Sequence, residues 1–332
     1  MVNFHIEATS KCTLECPLCD RTWFYDTFKK RNLHEINIDN IVNFVGVNGQ
    51  VALCGNNGDP IYHSKFLDLV ARFKDNNCTL HIHTNGSAKT KAWWTKLKNL
   101  LTKDDCITFA IDGLEDTNHL YRKNAKWKSI MTAIKTLKDR EFKMIWQFIP
   151  FKHNQHQLAE AKALALKYGF SGFKPLRSTR FNYQKIVQPD GLQYLLEPSD
   201  ITPEPDLDDP THMTTGLDSR TVNIKCNSIE ESTVYIYADG TVWPCTYLGG
   251  IHLFQARSVH NAIDWSIIKK HVITPYGPLP NIKESKLSNI LTSEQWNAWT
   301  FVLNRPTKIC KQQCNSCVVS REQEEFDLGY RL

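Results

Sequence analysis

The sequence predicts an α/β chain, a partial (β/α)6 TIM-like barrel followed by a small α+β domain with a β-hairpin, on three observations. From the first residues to about residue 174, short β-branched runs alternate with longer amphipathic segments, the pattern of βα units around a parallel sheet. Six such units fit, enough for three-quarters of a closed barrel. A proline-rich interruption then ends the alternation, and a hairpin and a run of cysteines follow it.

In chain order, the strands are expected at Val2–Glu7, Val51–Cys54, Thr79–Thr84, Cys106–Ile111, Lys143–Pro150 and Gly172–Lys174. Between them Ile41–Val45, Ser64–Lys74, Ala92–Leu101, Lys126–Leu137 and Gln157–Tyr168 have helical spacing, and Gly169 supplies the stop after the last. Pro189, Pro198, Pro203, Pro205 and Pro210, with acidic residues at 204–209, mark residues 181–221 as a linker or an inserted substrate loop. Val234–Tyr237, Asp239-Gly240 and Thr241–Trp243 predict a hairpin with a tight two-residue turn, because Asp-Gly tolerates the positive φ such turns need. A helix is expected around Glu294–Val302. The resulting division is 1–180, 181–221 and 222–332, and 332 residues carry ample apolar material for two cores.

Composition narrows the function classes. A hydrophobic fraction of 41% with no stretch near the roughly 20 apolar residues of a membrane helix excludes a spanning segment. Met1 leads almost directly into a strand, so no signal peptide is expected. A net charge of +5, with lysines scattered along helix-like segments, falls short of a nucleic-acid binder's basic stripe. Of the eleven cysteines, Cys54, Cys78 and Cys106 sit singly in apolar runs as small core residues, whereas the rest are clustered or motif-like. Such clustering points to metal ligation rather than disulfides, and so to a reducing, cytoplasmic location.

The most informative cluster is Lys11-Cys-Thr-Leu-Glu-Cys-Pro-Leu-Cys-Asp20, directly after the first strand. Cys12, Cys16 and Cys19 offer three soft thiolates and no obvious fourth, which suits a cubic iron–sulfur cluster whose remaining iron binds something other than protein. Zinc wants four closed ligands, so His5 or a distant cysteine would have to complete a zinc site. Near the other end, Cys226 is followed after thirteen residues by Gly240, and Cys245 comes after four more; Cys310, Cys314 and Cys317 repeat the first spacing. Five thiolates suffice for one four-iron cluster, and a zinc ribbon is the alternative.

Four further segments carry polar groups at predicted strand ends. Gly55-Asn-Asn-Gly-Asp-Pro60 is by itself a turn, but glycine there also lets backbone carbonyls and a carboxylate approach an ammonium group closely. In His81-Ile-His-Thr-Asn-Gly86 the two histidines share one sheet face, in a structural or a substrate-contacting role. Ala110-Ile-Asp-Gly113 leads to His119-Leu-Tyr-Arg122, where a guanidinium fork matches a carboxylate and Asp112 contacts a ribose or caps a turn. Gln147 is a lone amide in an apolar strand and needs partners, while Asn154 has the residue type of a helix cap. Lys174, Arg177 and Arg180 form a small basic group at the barrel mouth, suited to a substrate carboxylate or phosphate or simply to solvent.

These motifs resemble the radical S-adenosylmethionine (radical SAM) superfamily, over about residues 2–180. The resemblance implies a catalytic 4Fe–4S cluster on Cys12, Cys16 and Cys19, with SAM chelating the open iron and an electron cleaving it to a 5′-deoxyadenosyl radical that removes a substrate hydrogen. It implies SAM contacts at Gly58, Asp59, Thr84, Asn85, Asp112, Arg122 and Gln147. The chain departs from the family pattern at Leu18, where an aromatic residue is common, at Asn57 and Asp59 in a Gly-Gly-Glu-Pro type motif, and at Ala110 in place of serine. Over about residues 222–320 it is similar to the SPASM and twitch domains, which bind auxiliary clusters. The shorter twitch form fits five thiolates, with Cys226, Cys245, Cys314 and Cys317 as ligands and Cys310 as spare.

The resemblance therefore implies a radical SAM enzyme, and an auxiliary cluster able to accept an electron points to two-electron oxidation, a dehydrogenation, of a small molecule. A flavodoxin or ferredoxin would supply the electron. A peptide-modifying maturase is the alternative, and a noncatalytic iron–sulfur electron carrier or a zinc-bearing nucleic-acid module belongs to a different class.

Overall fold

The computed structural model describes residues 2–23, 34–176, 185–187, 193–201, 232–249 and 259–303, together with residues 226, 228 and 251. The barrel portion follows the expected order: β1 (Asn3–Ile6), α1 (Asp20–Trp23), α2 (Ile38–Val45), β2 (Gln50–Leu53), α3 (Phe66–Asp75), β3 (Thr79–Thr84), α4 (Lys91–Leu100), β4 (Cys106–Ala110), α5 (Asn118–Tyr121), α6 (Trp127–Leu137), β5 (Lys143–Phe148), α7 (Leu158–Lys167) and β6 (Gly172–Pro175). Asn37 starts α2 three residues ahead of the expected helix by accepting from Asp39 N at 2.8 Å, and Thr90 caps α4 through Trp93 N. Strand β5 ends before Ile149, whose N–H is taken by the Asp112 carboxylate rather than by a neighbouring strand.

β1 to β6 pair in parallel and in sequence. Alternation along each strand decides the two faces. Ile6, Leu53, Ile82, Ile107, Phe109, Trp146 and Phe148 are buried in one continuous core with Ile41, Leu69, Leu97, Ile134 and Ala161 of the helices. The residues between them, His5, Ala52, His81, His83, Ala110 and Gln147, line the opposite, half-buried face. Fully removing side chains such as Ile6 and Trp146 from water contributes about 1.5–3 kcal/mol each, so the helix-facing side fixes strand register and the other side is left for chemistry.

Beyond β6 come β7 (Lys185–Val187) and β8 (Gln193–Leu195), an antiparallel pair inside the stretch expected as linker or substrate loop. Then β9 (Thr233–Ile236) and β10 (Val242–Trp243) form the expected hairpin, with two differences. The strands stop at Ile236 and resume at Val242, so the connection is longer than two residues: Asp239 accepts from Thr241 N and Oγ1, and Asn281 donates to Asp239 O. An Asx-type turn has replaced the tight one, with Gly240 at φ 92° where a side chain would be strained. In addition, β9 pairs in parallel with β1, so the sheet runs β10-β9-β1-β2-β3-β4-β5-β6 and the hairpin extends the barrel sheet.

A second core gathers Tyr235, Tyr237, Trp243, Cys245, Leu248 and Trp299 beneath α8 (Val259–Ile268), a following π turn, α9 (Thr274–Tyr276), α10 (Leu287–Leu291) and α11 (Glu294–Leu303). Among the described residues, no helix is long and apolar enough to cross a membrane.

Candidate active site

The cysteine loop leaves β1 at its C-terminal end. Ser10 N bonds His34 O at 3.0 Å, and Lys11 pairs with Glu35 at 2.8 Å, which anchors the start of the loop. Cys16 is buried and Cys12 and Cys19 are half-buried, with Leu14 and Leu18 packed between them against Tyr121, Phe151 and Leu196. Leu18 thus fills an apolar niche where the related pattern has an aromatic ring. Burial pushes the Cys12 thiol up to about 12 and the Cys16 thiol up to about 11; beside Cys16 the Arg122 guanidinium pulls the other way. In the absence of a metal these thiols keep their protons, and only a strongly bonding cation would displace them.

The 55–60 segment lies directly against that loop. Asp59 N bonds Lys11 O at 3.0 Å, and a Cβ on Gly58 would sit 1.8 Å from Thr9 O, so only glycine fits. The buried Glu7 carboxylate holds the segment by accepting Asn57 N at 2.8 Å, Gly58 N at 2.9 Å and the Tyr235 hydroxyl at 2.7 Å. Burial raises the Glu7 pKa, and these three donors oppose the rise. Asn56 Nδ2 donates to Thr246 O at 2.9 Å and Asn57 Nδ2 meets the Tyr237 hydroxyl at 3.2 Å, so the segment is bonded on its other side to the C-terminal hairpin.

Asp59, Thr84 and Asn85 form one connected group with Cys12. The Asp59 carboxylate caps the 3-10 turn Pro60–Tyr62 through Ile61 N and accepts Thr84 Oγ1 at 2.9 Å and Asn85 N at 2.7 Å. Asn85 Nδ2 also reaches Cys12 Sγ at 3.7 Å. Burial lifts Asp59 to about 6 despite those donors. Both Asp59 oxygens are therefore engaged inside the protein, and the group positions Asn85 and the loop as a unit.

Asp112 is fully buried and paired with Arg122 Nε at 2.6 Å, and it accepts Ile149 N at 2.7 Å. It is neither a turn cap nor solvent-facing. Arg122, at the end of α5, has one edge on Asp112 and lies beside Cys16; burial opposes its charge, while Asp112 and Cys16 raise its pKa. Asn154 does not cap a helix as its residue type predicts: its side chain bridges Asp112 O at 2.9 Å and Ile149 O at 3.1 Å, stitching the β4 and β5 ends together. Gln147 lies on the inner face with Ala110 and Lys174 as register partners.

The remaining expected residues are placed less completely. Lys174 stands on β6, near enough to His81 and His83 to lower both pKa values, while Arg177 and Arg180 lie outside the described residues. Cys226 is half-buried and Cys245 is buried in the second core, whereas Cys310, Cys314 and Cys317 lie outside the described residues. Among the described residues, no three His, Cys, Asp or Glu side chains converge to hold a single metal ion. Three thiols on one loop at the C-terminal end of β1 suit a cluster, in which each thiolate meets its own iron.

Sequence reasoning missed Glu7, Asn56, Tyr235 and Tyr237. The available signals were a carboxylate at the end of the first strand and two tyrosines at period two in Val234-Tyr235-Ile236-Tyr237.

Residues 6–162 match the family model of the radical SAM superfamily, and residues 226–318 match that of SPASM, an iron–sulfur cluster-binding domain. The second match starts at Cys226 and ends just past Cys317. A Pyrococcus furiosus protein described as a tungsten-containing aldehyde ferredoxin oxidoreductase cofactor-modifying protein is 23% identical over 328 residues, covering 91% of this chain and 84% of its own. Similar solved folds include Streptococcus suis SuiB bound to S-adenosylmethionine (TM-score 0.56, 12% identity, 96% of this chain and 74% of that one). SuiB bound to its precursor peptide SuiA gives 0.57, with 12% identity over 96% and 73%. The protein anSMEcpe with bound AdoMet gives 0.54, with 14% identity over 91% and 83%.

Proposed function

Since the chain belongs to the radical SAM superfamily and carries a C-terminal SPASM domain, we propose that it is an oxidising member acting on a small organic substrate. Its cofactors are a SAM-binding 4Fe–4S cluster, SAM and an auxiliary iron–sulfur cluster. When bound, the first two supply reductive cleavage of the sulfonium and hydrogen-atom abstraction from substrate. Cys12, Cys16 and Cys19 hold the catalytic cluster; Gly58, Asn85 and Arg122 orient SAM; Asp59, Thr84 and Asp112 hold those residues in place; and Gln147 lines the inner face beside them.

The observation that carries this reading is the bonded group Cys12, Asn85, Asp59 and Thr84 at the C-terminal ends of β1 and β3, laid against Gly58. Arg122 beside Cys16 favours an anionic thiolate there, and Leu14, Leu18 and Phe151 keep water from it. Cys226, Cys245, Cys314 and Cys317, with Cys310 as spare, hold one auxiliary cluster in the twitch manner, within a domain of about residues 222–332 joined to a barrel of 1–180 by 181–221. When bound, that cluster would supply an acceptor for the second electron that a dehydrogenation removes from the substrate. A flavodoxin or ferredoxin in the cytoplasm supplies the reducing electron.

A peptide substrate is the second reading, favoured by the likeness to SuiB bound to its precursor peptide. Iron counting on the anaerobically reconstituted Cys12→Ala, Cys16→Ala, Cys19→Ala triple variant tests the two-cluster proposal. Four irons per chain are expected to remain. Zinc, or no metal, in that variant would contradict the electron-accepting role.

A further inference from the structure

The cysteine loop is bridged by a cation that the SAM contacts do not use. Arg21 lies in α1, two residues past Cys19, and its guanidinium reaches back to the main-chain carbonyl of Cys12, with Nη1 at 2.9 Å and Nη2 sharing the same oxygen. Its Nε is buried and finds no hydrogen-bond partner among the described residues. Nor does a carboxylate pair with it: among the described residues, the ion pairs around the loop are Lys11 with Glu35, Lys123 with Glu15, and Arg122 with Asp112.

The contrast with Arg122 defines what is missing. Beside Cys16, Arg122 has its charge answered by Asp112 at 2.6 Å. The Arg21 charge is unanswered, and it acts on Cys12 and on Tyr62, whose hydroxyl lies 2.6 Å from Thr13 Oγ1 in the same loop. A guanidinium brings five N–H donors and a full charge, so a half-buried one held on a single carbonyl is costly until a negative group joins it. A four-iron core on three thiolates is such a group. It is anionic, reduction adds one further negative charge, and net charge is among the factors that set cluster potentials.

We propose that Arg21 is a positioning residue for the cluster on Cys12, Cys16 and Cys19: its uncompensated charge, held on the Cys12 carbonyl, favours the reduced cluster over the oxidised one and so raises the reduction potential. The inference rests on the assignment of the cluster to this loop. A clasp that merely closed the loop would need the hydrogen bond to Cys12 and not the charge.

The test is a redox titration of the anaerobically reconstituted full-length protein followed by electron paramagnetic resonance, reading the signal that changes when SAM is added. Arg21→Gln keeps a side-chain N–H for the Cys12 carbonyl and removes the charge. Its ratio of reduced to oxidised cluster at a fixed potential should fall about tenfold, a midpoint about 59 mV lower. Arg21→Lys keeps the charge and should recover most of that shift. An unchanged midpoint in Arg21→Gln, or an equal fall in Arg21→Lys, overturns the inference. Loss of the cluster from Arg21→Gln alone would support it, because charge then separates the two variants, whereas loss from both would reduce Arg21 to a clasp. A wild type that binds iron but gives no SAM-responsive signal sinks the cluster assignment and this inference with it; a responsive signal with an unmoved midpoint sinks this inference alone.

Discussion

Glu7→Ala should be among the most damaging single substitutions outside the cysteines. Glu7 is 1% exposed and accepts three hydrogen bonds, from Asn57 N, Gly58 N and the Tyr235 hydroxyl. Truncation strands two backbone N–H groups in a buried segment, each costing about 1–3 kcal/mol, and removes the hydroxyl's acceptor. With the small void added, the loss comes to about 3–6 kcal/mol, a large part of the roughly 5–15 kcal/mol that holds a domain folded. Glu7→Gln keeps Oε1 for both amides and surrenders only the Tyr235 bond. It also removes a carboxylate whose pKa burial has raised. A raised carboxylate pKa means stability is fullest at low pH and falls as pH climbs above the ordinary glutamate value, so at neutral pH the glutamine variant should lie within about 1 kcal/mol of wild type. Urea unfolding followed by tryptophan fluorescence measures both. If Glu7→Ala unfolds within 1 kcal/mol of wild type, or Glu7→Gln is as unstable as the alanine variant, the assigned role of Glu7 is wrong.

Gly58→Ala must push the chain off Thr9 O, and overpacking of this kind costs about 1–3 kcal/mol or more; equilibrium dialysis should show SAM affinity lost while iron content is kept. SAM affinity of the oxidised holoprotein should fall as pH drops through about 6, where Asp59 takes a proton while the Asn85 and Ile61 backbone N–H groups beside it can only donate, and Asp59→Asn should erase that dependence; a flat wild-type profile between about pH 5 and 8 would contradict the assignment. Arg122→Ala leaves Asp112 buried without its partner, a loss of about 3–5 kcal/mol that chemical denaturation should register, and Arg122→Lys should recover part of it.

The cysteine loop was legible because its chemistry is written in local spacing: three thiols in eight residues after a strand fix both donor type and position. Strand order from β1 to β6 was legible for a similar reason, since alternating βα units leave few parallel arrangements. The pairing of β9 with β1 had no local signal, because nothing in Thr233–Ile236 says which distant edge it joins. The same distance hid the support of the site. Tyr235 lies 228 residues from Glu7, and Asn57 lies 180 from Tyr237, so their hydrogen bonds exist only once the sheet closes. Asn154 shows a subtler failure: residue type suggested a cap, but two carbonyls left unpaired at neighbouring strand ends claimed its amide first.

On the proposed function, the Cys12, Cys16 and Cys19 loop carries a cluster that cleaves SAM. The direct measurement is 5′-deoxyadenosine formed per chain when the reconstituted protein is reduced under anaerobic conditions with SAM present. Wild type should form it, and Cys16→Ala should form none while retaining the iron of the auxiliary site. Equal 5′-deoxyadenosine from Cys16→Ala, or none from a wild-type protein with its full complement of iron and sulfide, would contradict the account.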